Sequence, residues 1–506
     1  KKHTLFLGDK MNNNDLKMPI ILIGNSFKYE VEATVKLFIH ASRFNFFYEI
    51  TDVSDYDEYI IAETAGNKIK AEIKLKNKDK ICLEKDLGLS NQSEVQEHEL
   101  CRLIFNGLKQ LTGISPSWGL LTGIRPVKKV TALIQQGMSK LQITDILTKK
   151  YEISPLKLEL AFQTAYNQLP ILNKIDRSAV SLYISIPFCP TRCSYCSFVS
   201  HSMDSAIKLI PDYIKMLCRE LEIIGRIVKD TNTRIDTIYF GGGTPTSISA
   251  EHIETLMKKV QMCFNLDDVR EYNFEAGRAD TITREKLEII KKYGATRISV
   301  NPQTLNNDVL KAIGRNHTGE DTVNAYKTAR EVGFDNINMD LIAGLPTESA
   351  ESFKNTLDRI ISLDPENITV HTLTIKRSAS LYSDGERYIE NPAAEMVDYS
   401  VNQLLNHGYN PYYLYRQKNT VDNLENVGYA KKGRESYYNI YIMDETQTIL
   451  GAGCAASTKL VYPNGKIVRI HNYKFPYEYI NRFEQLMEKK KEITECLKKI
   501  KDIPQL

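Results

Sequence analysis

Between residues 178 and 375, short apolar runs alternate with longer stretches of helical periodicity, and nothing else in the sequence restricts the fold as strongly. SLYISIP, IDTIYFG, EYNFEAG, ATRISVN, NINMDLIAG and NITVHTLT read as strands, rich in β-branched and aromatic residues. Between the first two, Ile210, Ile214, Leu217, Leu221, Ile224 and Val228 recur at intervals of three and four, which makes one apolar stripe along a helix. Repeated strand–helix units predict a parallel sheet, because parallel neighbours need a crossover connection. Six such units without an obvious seventh predict an α/β fold, a partial (β/α)6 barrel over residues 176–378.

Side chains alternate faces along a strand, so parity sorts these runs further. Asn336, Asn338 and Asp340 share one face, against Ile337, Met339 and Leu341. Tyr183 pairs in parity with Ser185, Asn273 with Glu275, and Ser299 with Asn301 and Gln303. A closed barrel fills its interior with branched apolar residues. Polar faces near the C-terminal strand ends instead predict a wide, polar lumen that holds a ligand. Parity alone leaves open which face points inward.

Two flanking blocks complete the chain. Residues 1–175 read as an N-terminal α+β domain: MPIILIG is a buried strand, KIKAEIKLK an alternating one, and VQEHELCRLIFNGLKQL and LKLELAFQTAYNQL are helices. PSWGLLTGIRPVKKV, with the only tryptophan, reads as a surface turn or as an anion- or partner-docking loop. Residues 379–506 read as a tyrosine-rich C-terminal α/β extension that covers the substrate and ends in one Lys/Glu-rich helix from about Tyr477. The 66 basic and 63 acidic residues nearly balance, which gives no reason to expect nucleic acid. No run approaches the roughly 18 apolar residues of a membrane span. Nine cysteines, an odd number and scattered outside one cluster, do not make a disulfide framework. Cys82, Cys101, Cys218, Cys263, Cys454 and Cys496 read as reduced core residues, and a cytoplasmic setting follows.

The exception is SIPFCPTRCSYCSF, directly after the first barrel strand, where Cys189, Cys193 and Cys196 are spaced C-x3-C-x2-C. Three thiolates on a short loop match three irons of a [4Fe–4S] cube, leaving the fourth iron open to a small molecule. The alternative is a Cys3His zinc site that includes His201. One strand later, YFGGGTPT offers three glycines whose backbone can approach a ligand.

These segments, with EAGRADTIT, RISVNPQTLNNDVLKAIGRNH and NMDLIAGLP, resemble the radical S-adenosyl-L-methionine (SAM) superfamily. Within it they resemble the oxygen-independent coproporphyrinogen III dehydrogenase family, and LLTGIRPVKK, LYRQKN and GAGCAAS point to its HemZ-type members. The resemblance implies a [4Fe–4S] cluster on Cys189, Cys193 and Cys196. It implies SAM contacts at Tyr183, Tyr195, Gly242, Gly243, Thr244, Glu275, Gln303, Arg315, Asp340 and Thr374. Glu275 would accept hydrogen bonds from ribose hydroxyls, and Arg315 and Asp340 could instead form an ion pair. The implied partners are a tetrapyrrole, coproporphyrinogen III or heme, and a low-potential electron donor such as flavodoxin or ferredoxin.

The implied activity is oxidative decarboxylation of coproporphyrinogen III propionates to vinyl groups, with Arg377 and Arg416 as candidate lumen cations. The alternatives are a heme-binding chaperone, with His371 or His471 as axial ligand, and radical chemistry on heme itself. Two departures bear on that choice. Phe198 stands where the authentic dehydrogenase has a fourth cysteine. The chaperone branch shares this phenylalanine but carries an H-N-x-x-Y-W motif, where this chain reads DNLENVGY.

Overall fold

In a computed structural model, which describes residues 17–48, 52–88, 92–196, 200–374, 392–417 and 420–501, every apolar run named above for the barrel is a strand. The chain divides into two units, Lys1–Gly123 with Ser139–Leu158, and Ile124–Met138 with Glu159–Leu506.

The first unit holds β1 (Met18–Ile23), β2 (Phe44–Phe47), β3 (Tyr59–Ala65), β4 (Lys68–Lys74) and β5 (Ile81–Asp86) in the order β2-β1-β3-β4-β5. Along β4, Ile69, Ala71 and Ile73 are buried while the charged residues between them face outward, as strict alternation demands. The helix Ser93–Thr112 covers that apolar face with Leu100, Ile104, Phe105, Leu108 and Leu111. The surface-turn reading of PSWGLLTGIRPVKKV holds in part: Thr122, Gly123 and Ile124 are exposed, but Trp118 is 2% exposed, Leu120 and Leu121 are buried, and a helix begins at Pro126. Cys82, read above as a core residue, is instead exposed, because it lies on the outward parity of β5.

In the second unit, β6 (Val180–Ile186), β7 (Ile235–Gly242), β8 (Glu271–Gly277), β9 (Arg297–Val300), β10 (Ile337–Ala343) and β11 (Asn367–Thr372) are parallel neighbours in chain order. Helices fill the crossovers; in the first, Ile210–Asp230, all six residues of the apolar stripe are buried. Further strands extend this sheet at both edges: β12 (Asn410–Arg416), β13 (Glu425–Ala430), β14 (Ile449–Ala452), β15 (Ser457–Val461) and β16 (Ile467–His471). The order is β12-β13-β11-β10-β9-β8-β7-β6-β14-β15-β16. β14 lies parallel to β6 and is a seventh parallel strand, too short at four residues to stand out in the sequence. β12, β13, β15 and β16 are antiparallel to their neighbours.

The single C-terminal helix expected from Tyr477 is three, Pro476–Asn481, Phe483–Lys489 and Lys491–Lys501. Among the described residues no helix is long and apolar enough to cross a membrane.

Candidate functional site

The polar parity faces inward. Built onto Gly241 of β7, a Cβ would lie 2.8 Å from the Tyr239 ring, 3.1 Å from Glu275 and 3.2 Å from the Tyr183 ring, so these side chains meet over that glycine. Tyr239 donates a hydrogen bond to Glu275. Its ring stacks on Tyr438 at 4.4 Å, and Tyr438 stacks on Tyr183 at 6.3 Å. Below them Glu271 accepts hydrogen bonds from the Ser436 hydroxyl at 2.8 Å and the Tyr437 amide at 2.6 Å. The helix Tyr437–Asp444 therefore floors the lumen at the N-terminal strand ends, and the C-terminal ends remain for a ligand.

The cysteine loop lies at that open end. Phe188–Cys189 pairs in parallel with His201–Ser202, and the His201 amide donates to the Pro187 carbonyl at 2.8 Å. Three contacts seat the loop on neighbouring elements. The Ser194 amide donates to Ile313 O at 3.1 Å, the Thr191 hydroxyl to Gly314 O at 2.7 Å, and the Thr244 amide to Phe188 O at 2.8 Å. Cys189 is buried and accepts from the Thr244 hydroxyl at 3.4 Å; Cys193 and Cys196 are half-buried. Burial pushes the Cys189 thiol up, against the lowering effect of the Thr244 hydroxyl and Arg278, and a bound metal would favour the thiolate.

The glycine segment is a cradle that a side chain would fill. Gly242 has φ +114°, which disfavours any other residue, and a Cβ on Gly243 would meet Phe188 O at 2.7 Å and Cys189 Sγ at 2.9 Å. Tyr195, on the cysteine loop, rests on the apolar cluster of Val309, Ile313 and Leu373. Arg315 donates to Asn301 O at 2.6 Å and faces the Tyr195 hydroxyl at 3.4 Å.

The expected alternative, an Arg315–Asp340 ion pair, is not formed. Asp340 instead accepts from Asn338 Nδ2 at 2.7 Å and lies 4.0 Å from His371 Nε2. Gln303 takes a left-handed backbone conformation, φ +67°, and donates its amide to Asp340 O at 2.9 Å. Such a conformation in a non-glycine residue is uncommon and recurs at ligand clamps. Thr374 pairs with Thr420, hydroxyl to hydroxyl at 3.3 Å.

Arg416 is a correction. Its Nε and Nη2 both donate to Asn423 O, at 3.0 and 2.7 Å, and it sits on the parity opposite Tyr415, away from the lumen. Burial pushes its guanidinium down to about 10. His471 is exposed on β16, whereas His371 is half-buried on β11. Arg377 and Phe198 lie outside the described residues.

These residues fit the cluster and SAM. The His201 ring packs against Phe475 at 5.8 Å. A four-iron cube takes one thiolate per iron and so spreads its ligands. Around the lumen, Asn273 Oδ1, Asn301 Oδ1, Gln303 Oε1 and Arg315 Nε are buried without partners. Each such group costs about 1–3 kcal/mol unless a ligand satisfies it.

Comparison with known proteins agrees with this chemistry. The family profile of the Radical SAM superfamily matches residues 183–360. The oxygen-independent coproporphyrinogen-III oxidase-like protein HemZ of Bacillus subtilis (strain 168) is 44% identical over 392 residues, 76% of this chain and 78% of that protein. The heme chaperone HemW of the same organism is 33% identical over 280 residues, 54% of this chain and 69% of its own length. The solved structure of coproporphyrinogen III oxidase (HemN) from Escherichia coli is 23% identical, covers 65% of this chain and 73% of that one, and has a TM-score of 0.49. The chain belongs to the oxygen-independent coproporphyrinogen III oxidase-like family of radical SAM proteins.

Sequence reasoning missed Tyr239 and Tyr438. Tyr239 shares the parity of Gly241, so the period-two rule could have found it. Tyr438 comes from a helix with no local signal of its role.

Proposed function

We propose that this chain performs radical SAM chemistry on a tetrapyrrole, oxidatively decarboxylating coproporphyrinogen III propionates to vinyl groups without oxygen. The observation that carries the reading is the set of unpartnered buried polar atoms ringing the lumen beside the three-cysteine loop. When bound, the [4Fe–4S] cluster and SAM supply reductive SAM cleavage and hydrogen-atom abstraction.

The chain's own residues bind and orient. Cys189, Cys193 and Cys196 hold the cluster, and Gly242, Gly243 and Thr244 line the approach of the SAM amino group. Glu275, braced by Tyr239, accepts from the ribose hydroxyls. Tyr183, Tyr195, Gln303, Arg315, Asp340 and Thr374 complete the SAM pocket. Residues 379–506 cover the substrate, and a flavodoxin or ferredoxin supplies the electron.

The test is anaerobic turnover of cluster-loaded protein with SAM, reductant and coproporphyrinogen III. 5′-Deoxyadenosine together with decarboxylated product is expected; the absence of both overturns the reading. The second reading, a heme chaperone, is favoured by the 33% identity to HemW and by His371 standing half-buried on the lumen-side strand β11. A saturable Soret change on heme titration, lost in His371→Ala, would support it. Product mass after turnover with heme separates chemistry on heme itself.

A pH profile tests the role of Glu275. Burial, opposed by the Tyr239 hydrogen bond and reinforced by the Asp340 charge, pushes its carboxyl up to about 7. Below that pH the acceptor is protonated, so SAM affinity is expected to fall about tenfold from about pH 8 to about pH 6. Glu275→Gln flattens this dependence, measurable by calorimetric titration. The native state holds this proton up to a higher pH than the unfolded chain does, so ionisation costs stability as pH rises through about 7. The same variant should therefore melt higher than wild type above neutral pH.

A further inference from the structure

We propose that Arg278 is a positioning residue that clamps the cysteine loop in the shape needed to receive the cluster; this rests on the cluster reading above. Arg278 follows β8, the strand that carries Glu275, and its side chain is 3% exposed. Every arm of its guanidinium is engaged. Nε and Nη2 grip the two Asp280 carboxylate oxygens at 3.0 and 2.6 Å. Nη1 donates to the carbonyl of Thr191 at 3.1 Å and to its hydroxyl at 2.8 Å.

Thr191 stands between Cys189 and Cys193 and passes its own proton to Gly314 O at 2.7 Å. The loop between two ligands is thereby tied at one residue to two separate barrel elements. The buried His317 stands beside Asp280, with Nδ1 3.5 Å from Oδ1. Burial alone would raise the Asp280 carboxyl, yet His317 and Arg278 hold it well below the usual carboxylate range. The bidentate pair largely cancels the charge of Arg278, so its effect on the loop is one of geometry. A planar fork satisfies four acceptors at fixed angles, which the single ammonium of a lysine does not.

The experiment compares anaerobically cluster-loaded wild type, Arg278→Ala, Arg278→Lys and Thr191→Val. It reads the rate at which a ferrous chelator strips iron, and in parallel the thermal melt of each apo form. Loss of an outer-shell partner weakens metal sites by about 10–100-fold. Arg278→Ala is expected to release iron at least about tenfold faster, Arg278→Lys nearly as fast, and Thr191→Val faster than wild type by a smaller factor, with a melt lowered only slightly by the lost Gly314 hydrogen bond. Thr191→Val keeps the Arg278–Asp280 pair and side-chain volume, so it reports on the clamp even if Arg278→Ala folds poorly. Release from Thr191→Val and Arg278→Lys at the wild-type rate would overturn the clamp. Wild type that takes up no iron would overturn the cluster reading and the clamp together.

Discussion

Cys193→Ser is expected to purify without the visible absorbance of an iron–sulfur cluster and to form no 5′-deoxyadenosine from SAM. The loop holds three cysteines and the cube needs a thiolate on each of three irons, so the site has no spare ligand. Cys454, in the same unit, is buried and donates to Lys474 O at 2.9 Å. The fold should survive, because backbone and Thr191 seat the loop through the Ser194–Ile313 and Thr191–Gly314 hydrogen bonds. A near-wild-type circular dichroism melt with no iron is the expected pair of results. Wild-type absorbance in Cys193→Ser would remove Cys193 from the ligand set. Stoichiometric zinc and no iron in anaerobically purified wild type would restore the zinc alternative.

Much of this site was legible because it follows local periodicity. The six strands and the stripe from Ile210 to Val228 obey periods of two and 3.6, which the chain satisfies whatever surrounds it. The same period puts Asn273 on one face with Glu275, and Asn338 on one face with Asp340; only the closure of the strands around Gly241 makes that face the lumen. The glycines of YFGGG were legible for another reason: a missing Cβ has few other uses in the last turn of a strand.

What stayed hidden depends on long-range meetings. Arg278 finds Thr191 87 residues earlier, and neither residue type signals the other. Tyr438 completes a stack with Tyr183 and Tyr239 from a helix whose residues are nearly all apolar or aromatic, so no one face of it stands out. Arg416 was misplaced for a related reason. The propionates of the implied substrate call for a lumen cation, but the strand's parity turns Arg416 onto the carbonyl of Asn423.

Lys490→Met is expected to lower the unfolding free energy by about 3–5 kcal/mol, the usual cost of leaving one member of a buried ion pair alone. Lys490 Nζ lies 2.8 Å from Glu220 Oε1, and both side chains are wholly buried. Glu220 is a hub: it accepts from the Gly453 amide at 2.7 Å, Asn472 Nδ2 at 2.9 Å and the Tyr479 hydroxyl at 2.5 Å. Lys490 itself donates to Gly451 O at 2.6 Å. The network therefore gathers four places in the C-terminal block, at Gly453, Asn472, Tyr479 and Lys490, onto the helix Ile210–Asp230. It continues to the site through Tyr213, which accepts from the Cys454 amide at 2.9 Å and donates to Ser185 O at 2.7 Å, at the end of the strand that leads into the cysteine loop. Gly453 permits this closeness: its φ is +91°, and a Cβ there would lie 2.5 Å from Ser185 O. Urea denaturation reads the effect as a lower midpoint at constant slope. Because the cost comes from the stranded carboxylate, Lys490→Met combined with Glu220→Gln should lose less than the sum of the single changes. A Lys490→Met midpoint equal to that of wild type would mean that the carboxylate's three remaining donors satisfy it without the ammonium, and that the pair does not tie the C-terminal helices to the strand beside the cluster loop.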